Sequence, residues 1–327
     1  MRVLFIGGTG NISRSVSLAC VERGIELDLL TRLMRPVDIP GANPIQGDIH
    51  KPVRSLLEGN SWDAVVDWIA YTVEDIERDI ALFRGKTGQF VFISSASAYQ
   101  KPPVHPLITE STPLCNPYWE YSRNKIACEE RLNRAYRDEG FPITIVRPSL
   151  TYDTVIPVAF GGWTEYTVID RIRKGEPVIV HGDGTSLWTA THSEDFAKGF
   201  VGLLGHPQTI GEAFHITSDE VLTWNQIYHA VGRAAGQEPN LVHIPSEFIA
   251  ACEESLRGPL LGDKAYSVIF DNSKIRRIVP EYRATIPFHA GIRRTLAWFE
   301  ADPARQIVND KTNAMMDRIL QAYRHRT

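Results

Sequence analysis

Tyr121 and Lys125, four residues apart in Tyr121-Ser122-Arg123-Asn124-Lys125, form a pair able to move a proton. On a helix, side chains at i and i+4 share one face. A free tyrosine ionises near pH 10 and is a poor base at neutral pH. A neighbouring ammonium favours the phenolate. Lowering the pKa by about 3 units takes about 4 kcal/mol of differential interaction. A tyrosine so placed can take or give a hydroxyl proton. Ser95, in Ser94-Ser95-Ala96-Ser97-Ala98-Tyr99, follows an apolar run and can hydrogen-bond the reacting oxygen. The plain alternatives are an ordinary helix-surface pair and polar capping of a strand end.

A second constellation lies at the N-terminus. Gly7-Gly8-Thr9-Gly10-Asn11-Ile12-Ser13 follows the apolar run Arg2–Ile6 and opens a helical pattern. Glycine there lets backbone pass close to a pyrophosphate, and the N–H groups of the helix start meet its charge. Ser13 stands where a third glycine usually sits. No Gly-Lys-Ser/Thr follows, so a Walker loop is excluded. A nucleotide turn ahead of the Tyr–Lys pair suggests hydride transfer to or from a nicotinamide, with Tyr121 exchanging the proton. The second apolar run ends in Thr31 and Arg32, with Arg35 close by, where an NAD-preferring enzyme usually has an acid. A guanidinium pairs with a 2′-phosphate, so NADP is favoured over NAD. Asp48, after the third run, faces the adenine side or is a plain turn residue.

The elements that must position these groups alternate. Strands are expected at residues 2–6, 26–30, 43–46, 64–68, 89–93 and 143–146, with helices at 11–23, 73–83 and 118–136. This βαβ rhythm predicts an α/β fold, a doubly wound parallel sheet with ligand at the carboxyl ends of its strands. Residues 212–216 are expected to return to the sheet. Helices are expected at 165–173, 193–204 with Ser193 as N-cap, 224–235, 246–256, 292–300 and 304–323. The expected division is 1–155, with parts of 185–218, as the nucleotide-binding domain. Residues 156–184 and 219–327 then form a smaller, discontinuous substrate lobe.

The chain has 327 residues, 43% of them hydrophobic, with 35 Lys and Arg against 39 Asp and Glu. There is ample apolar material for a core. A net charge of −4 gives no bulk attraction for nucleic acid. Cys20, Cys115, Cys128 and Cys252 form no Cys-x-x-Cys pair and no zinc-ligand spacing, so neither a disulfide framework nor a metal site is expected. No run approaches the ~18 apolar residues of a membrane helix. The expected setting is the cytoplasm.

These motifs occur together and in order: the glycine turn, Gly47-Asp48-Ile49, Phe92-Ile93-Ser94-Ser95, Tyr121-x-x-x-Lys125 and Arg147-Pro148. Gly182-Asp183-Gly184, His192-Ser193-Glu194-Asp195 and Asp271-Asn272-Ser273-Lys274 follow. In this the chain resembles the extended short-chain dehydrogenase/reductase family, of the NAD-dependent epimerase/dehydratase type, to about residue 300. The resemblance implies a Rossmann domain, a nicotinamide cofactor, and Ser95, Tyr121 and Lys125 as catalytic residues, with Lys125 also holding the nicotinamide ribose. It implies cofactor contacts at Gly7, Gly10, Asn11, Ile12, Thr31, Arg32, Arg35, Asp48, Ile49, Ile69, Ala70, Tyr121, Lys125 and Pro148. It also implies a homodimer through the helices at 73–83 and 118–136.

Departures from the family pattern bear on specificity. Ala96 and Ser97 replace the Asp-Glu pair of sugar-nucleotide 4,6-dehydratases, which disfavours a dehydratase. The arginine that often follows Gly-Asp-Gly is missing, with Trp188 nearby. The substrate-facing candidates are Tyr71, Ser97, Tyr152, Trp163 and Trp188, with Tyr99 a further aromatic; Trp224, Trp298 and Phe288 are assigned to the core. His105 and Cys115 lie in a Pro-rich loop that could border the site. The expected activity is an NAD(P)-dependent epimerase or oxidoreductase of a sugar or nucleotide-sugar. The alternatives are an NADP-dependent carbonyl reductase, and a non-enzymatic cofactor- or RNA-binding relative like the plastid RNA binders with a similar glycine turn. A pure binder has no chemical need for Ser95, Tyr121 and Lys125 together.

Overall fold

The computed structural model describes residues 1–33 and 37–326. Its centre is a seven-stranded sheet of β1 (Arg2–Ile6), β2 (Glu26–Thr31), β3 (Asn43–Gln46), β4 (Ala64–Asp67), β5 (Phe90–Ile93), β6 (Ile143–Val146) and β7 (Glu212–Phe214). The order is β7-β6-β5-β4-β1-β2-β3, and every pairing is parallel. The inner strands β4, β5 and β6 are buried throughout, which is why they read as unbroken apolar runs. β3 carries Pro44 and is mostly exposed, as an edge strand tolerates.

Helices cover both faces. Alternate residues of β1 point to opposite sides. Val3 and Phe5 meet Val16 and Cys20 of α1 (Ser13–Glu22) and Phe196 and Phe200 of α5 (Ser193–Val201). Leu4 and Ile6 share the other core with Ile76 and Ile80 of α2 (Val73–Phe83) and Cys128 and Leu132 of α3 (Glu120–Glu139). A reciprocal capping box between Thr72 and Asp75 starts α2, and Gly140, at φ +66°, ends α3.

A third core joins α4 (Thr167–Arg173), α6 (Trp224–Ala235) and the helix Phe288–Glu300 through Val168, Trp188, Trp224, Tyr228 and Leu296. A fourth gathers Phe160, Ile249 and Leu260 under the terminal helix Asp310–Arg324, with Met316, Ile319 and Leu320.

Several boundaries differ from the sequence reading. Asn11 and Ile12 stay in the glycine turn, and α1 begins at Ser13. The N-cap of α5 is His192, whose side chain accepts from Glu194 N; Ser193 Oγ instead donates to Asn11 O and Tyr152 O. The terminal helix begins only at Asp310, because residues 303–305 form a separate 3-10 turn. Trp298 is not core: it is 37% exposed and covered by the Arg305 guanidinium.

Candidate active site

The strand order reverses between β1 and β4, and a cleft of about 1040 Å³ opens at the strands' carboxyl ends there. At one end lies the glycine turn. Gly7 and Gly8 have φ of +97° and +102°, and a Cβ on Gly8 would stand 2.7 Å from Leu29 Cδ2. Side chains are therefore excluded where the backbone must be approached. Ser13 Oγ accepts from Gly10 N at 2.9 Å, and Ser17 Oγ donates to Gly8 O at 2.8 Å. The first turn of α1 carries no acidic residue and no side-chain cap, so it holds no anion of its own. This cradle fits a dinucleotide pyrophosphate. Asn11 also clasps the opposite wall, donating to Thr151 O at 2.9 Å and accepting from Thr154 N.

Beyond the turn, Thr31, Arg32, Asp48 and Ile49 line the cleft. Arg32 is exposed and Asp48 accepts from His50 N, so Asp48 both turns the chain and faces the cleft. Arg35 lies outside the described residues. Ile12, Ile69 and Pro148 line the cleft too. Ala70 is buried and is not among the residues lining the cleft; its carbonyl accepts from Lys125 Nζ.

Ser95, Tyr121 and Lys125 converge in the middle. Lys125 is buried and donates to Ala70 O at 2.6 Å and Ile93 O at 2.8 Å. Its Nζ lies 4.4 Å from the Tyr71 ring centroid and 4.8 Å from that of Phe92. Burial pulls its pKa down to about 8. Burial pushes Tyr121 up to about 12, against a hydrogen bond from Ser95 that pulls it down. Ser122 Oγ donates to Ser97 Oγ at 2.7 Å, and Ser97 and Ser95 share a 2.9 Å hydrogen bond. Ser97 lines the cleft but is 97% buried within this hydroxyl chain, so it holds Ser95 in place.

Two buried charge clusters brace this arrangement. Asp67, at the end of β4, accepts from Ile69 N and Ala70 N, which turns Ala70 O toward Lys125. Beside it, burial and the Asp67 charge raise the pKa of Asp79, against the Arg78 guanidinium, which donates to Asp79 Oδ1. Beneath Ser94, Glu129 of α3 takes both Arg147 Nε (3.0 Å) and Nη2 (2.6 Å) and accepts from Ser94 Oγ. Among the described residues no group of three or more His, Cys, Asp or Glu could hold a metal ion.

The far end of the cleft is aromatic. Tyr71, Trp163 and Trp188 line it as expected. Trp163 stands half-exposed at φ +60°, an unusual conformation for so large a side chain, on a turn where Gly162 packs against Ile156 O. Tyr152 does not line the cleft: its ring packs edge-on against His192 and Phe288 in the third core. Tyr99 is likewise buried, bonded to His215 Nδ1. His105 and Cys115 do not line the cleft, but Lys101 of the same loop does.

The sequence reading missed Lys101, Trp119, Asp263 and Lys264, which complete this end. Trp119 lies 4.9 Å from Tyr121, ring to ring. Gly258 and Gly262 pack against Trp119, and Asn116 Nδ2 ties Ser97 O (2.8 Å) to Gly262 O (2.7 Å). The available signal was the pair of glycines in Gly258-Pro259-Leu260-Leu261-Gly262-Asp263-Lys264, which lets this segment close over the tryptophan.

Known proteins share this fold and much of the sequence pattern. The chain is 26% identical over 287 residues to 2′-dehydrokanamycin reductase of Streptomyces kanamyceticus, across 86% of this chain and 80% of the relative. It is 26% identical over 265 residues to the chloroplast stem-loop binding protein of 41 kDa b of Arabidopsis thaliana, across 76% and 67%. UDP-glucuronic acid 4-epimerase from Bacillus cereus, solved with UDP-glucuronic acid and NAD, superposes with a TM-score of 0.73 at 17% identity, over 92% of this chain and 99% of that one. Residues 3–217 match the family model for NAD-dependent epimerases and dehydratases. The chain therefore belongs to the NAD-dependent epimerase/dehydratase family.

Proposed function

We propose that the chain is an NAD(P)-dependent epimerase or oxidoreductase of a sugar or nucleotide-sugar, with Tyr121 as acid/base. The observation that carries this is the hydroxyl chain Ser122–Ser97–Ser95 in the same cleft as Tyr121, buried Lys125 and the glycine turn. A bound nicotinamide supplies the hydride donor or acceptor. The chain's own residues do the rest. With its pKa pushed to about 12, Tyr121 is protonated at neutral pH and set to give a proton to a carbonyl oxygen. Taking a proton needs positive charge nearby, which the Lys125 ammonium contributes. Two of the three ammonium N–H groups are committed to Ala70 O and Ile93 O, leaving the third for a ribose hydroxyl. Ser95 orients the substrate oxygen against Tyr121.

Gly7, Gly10, Asn11 and Ile12 would cradle the pyrophosphate. NADP is favoured over NAD because β2 ends at Thr31 and is followed by Arg32, with no carboxylate there. Residues 1–155, with parts of 185–218, act as the cofactor domain; 156–184 and 219–327 act as the substrate lobe, where Tyr71, Trp163 and Trp188 face the substrate. We read the protein as a cytoplasmic homodimer joined through α2 and α3, its four cysteines free.

A carbonyl reductase is the second reading, favoured by the similarity to a reductase over 86% of the chain. A net charge of −4 weighs against RNA binding, despite the similarity to a stem-loop binding protein. The test is Tyr121→Phe, followed at the nicotinamide absorbance across sugar alcohol and carbonyl pairs. Turnover should fall by about 10²–10⁴-fold with cofactor binding kept. Full activity in the variant would refute the assignment. Cofactor carried through purification and turned over without net reduction marks the epimerase; an empty protein that consumes NADPH marks the reductase.

A further inference from the structure

We propose that the aromatic end of the cleft is built to hold an anionic oxygen group of the substrate, a carboxylate or a phosphate, on the ammonium groups of Lys101 and Lys264. This rests on the reading of the cleft as a hydride-transfer site and names the class of substrate it takes.

Lys101 is 97% buried, yet it lines the cleft. Among the described residues its Nζ has no hydrogen bond and no carboxylate within ion-pair distance. The loop that carries it is pinned, with Gln100 N on Pro113 O and Lys101 N on Cys115 O. A buried cation without a partner is costly, because nothing replaces the water it gave up. The desolvation is strong enough to pull its pKa below the ordinary lysine range, with Asp263 pulling the other way. A ligand anion is the missing partner.

The surroundings agree in sign and in hydrogen-bonding sense. Lys264 Nζ lies 3.4 Å from Asp263 Oδ2 and 5.9 Å from the Trp119 ring centroid. Its carbonyl is anchored by Trp224 Nε1 and His181 Nε2, so the residue is held over the cleft. Asp263 pairs with Lys264 and acts on Lys101 only as a longer-range charge, which leaves the Lys101 charge without a paired anion. Trp188 Nε1 is a buried donor with no partner, on a residue lining the same cleft. Two ammonium groups offer donors, and a carboxylate or phosphate supplies acceptors.

The test uses the whole protein saturated with NADP and reads tryptophan fluorescence, because Trp119, Trp163 and Trp188 line the cleft. D-Glucose, D-glucosamine, D-glucuronate and D-glucose 6-phosphate share one ring and differ in charge. At least one of the two anions should bind ten-fold or more tighter than glucose, and the tighter of them tells carboxylate from phosphate. Lys101→Met should remove that preference while leaving any glucose binding in place, and Lys101→Arg should keep it. Equal affinity for glucose and both anions would overturn the proposal. So would tighter binding of glucosamine, a preference that survives Lys101→Met, or no response to any of the four. Thermal melts check that the variants fold. NADP binding is read first in the same samples. Its absence would sink the hydride-transfer reading itself, whereas normal NADP binding without an anion preference would sink this inference alone.

Discussion

The two ends of the cleft are built by different means. The glycine-turn end is made of backbone: a glycine turn, the first turn of α1, and residues immediately after β1, β2, β3 and β4. The aromatic end is made of side chains brought together from distant segments: Lys101 from a Pro-rich loop, Trp119 ahead of α3, Trp163 from a strained turn, and Asp263 and Lys264 from the C-terminal part. Backbone sites are set by local sequence and by the sheet. A side-chain site depends on every contact that holds its segments in place. The first should therefore fail through steric conflict at one position, and the second through loss of long-range ties.

The largest effect is expected at the glycine-turn end. Gly8→Val places a branched Cβ at φ +102°, 2.7 Å from Leu29 Cδ2. Strain and overpacking together should cost about 4 kcal/mol in urea unfolding, with loss of nucleotide binding. A variant that binds NADP normally would break the account of the glycine turn.

Lys125 sits where the two ends meet, and its burial makes stability depend on pH. Below about pH 8 both folded and unfolded chains carry its proton, and the buried charge is a constant penalty. Between about 8 and the ordinary 10.5 the folded chain loses the proton first, so stability rises with pH. The rise should reach about 3 kcal/mol. It should appear as a difference between the wild type and Lys125→Met in urea titrations at stepped pH. Parallel curves for the two proteins would mean Lys125 is not desolvated as described.

A smaller effect separates the ends. Asn116→Ala leaves the buried carbonyls of Ser97 and Gly262 without a donor and should cost about 2 kcal/mol. It should weaken sugar binding and spare NADP, because Asn116 ties the C-terminal segment and not the glycine turn. Equal damage to both ligands would erase the distinction. The smallest effect is expected at the rim. Trp163→Gly relieves a positive φ while removing a half-exposed ring, so stability should change by less than about 1 kcal/mol.

The same contrast explains what could be read from the sequence. The sheet, α2, α6 and the Ser95–Tyr121–Lys125 group were legible, because apolar runs, helical spacing and a glycine turn are local signals. Tyr152 looked like a sugar platform, but Phe288 and His192, distant in sequence, draw its ring into a core. Trp298 looked like core and faces solvent under Arg305. Lys101 had no local signature, since its significance comes from burial against residues far along the chain. The place of Ser97 in a hydroxyl chain was not legible, because it needs Ser122 on α3.

The central claim is that this cleft holds a nicotinamide dinucleotide. The most direct measurement is calorimetric titration of the purified protein with NADP and NAD, after denaturing extraction of a portion to count nucleotide already bound. One dinucleotide per chain is expected, with NADP the tighter. Neither nucleotide extracted, and neither binding at millimolar concentration, would contradict it.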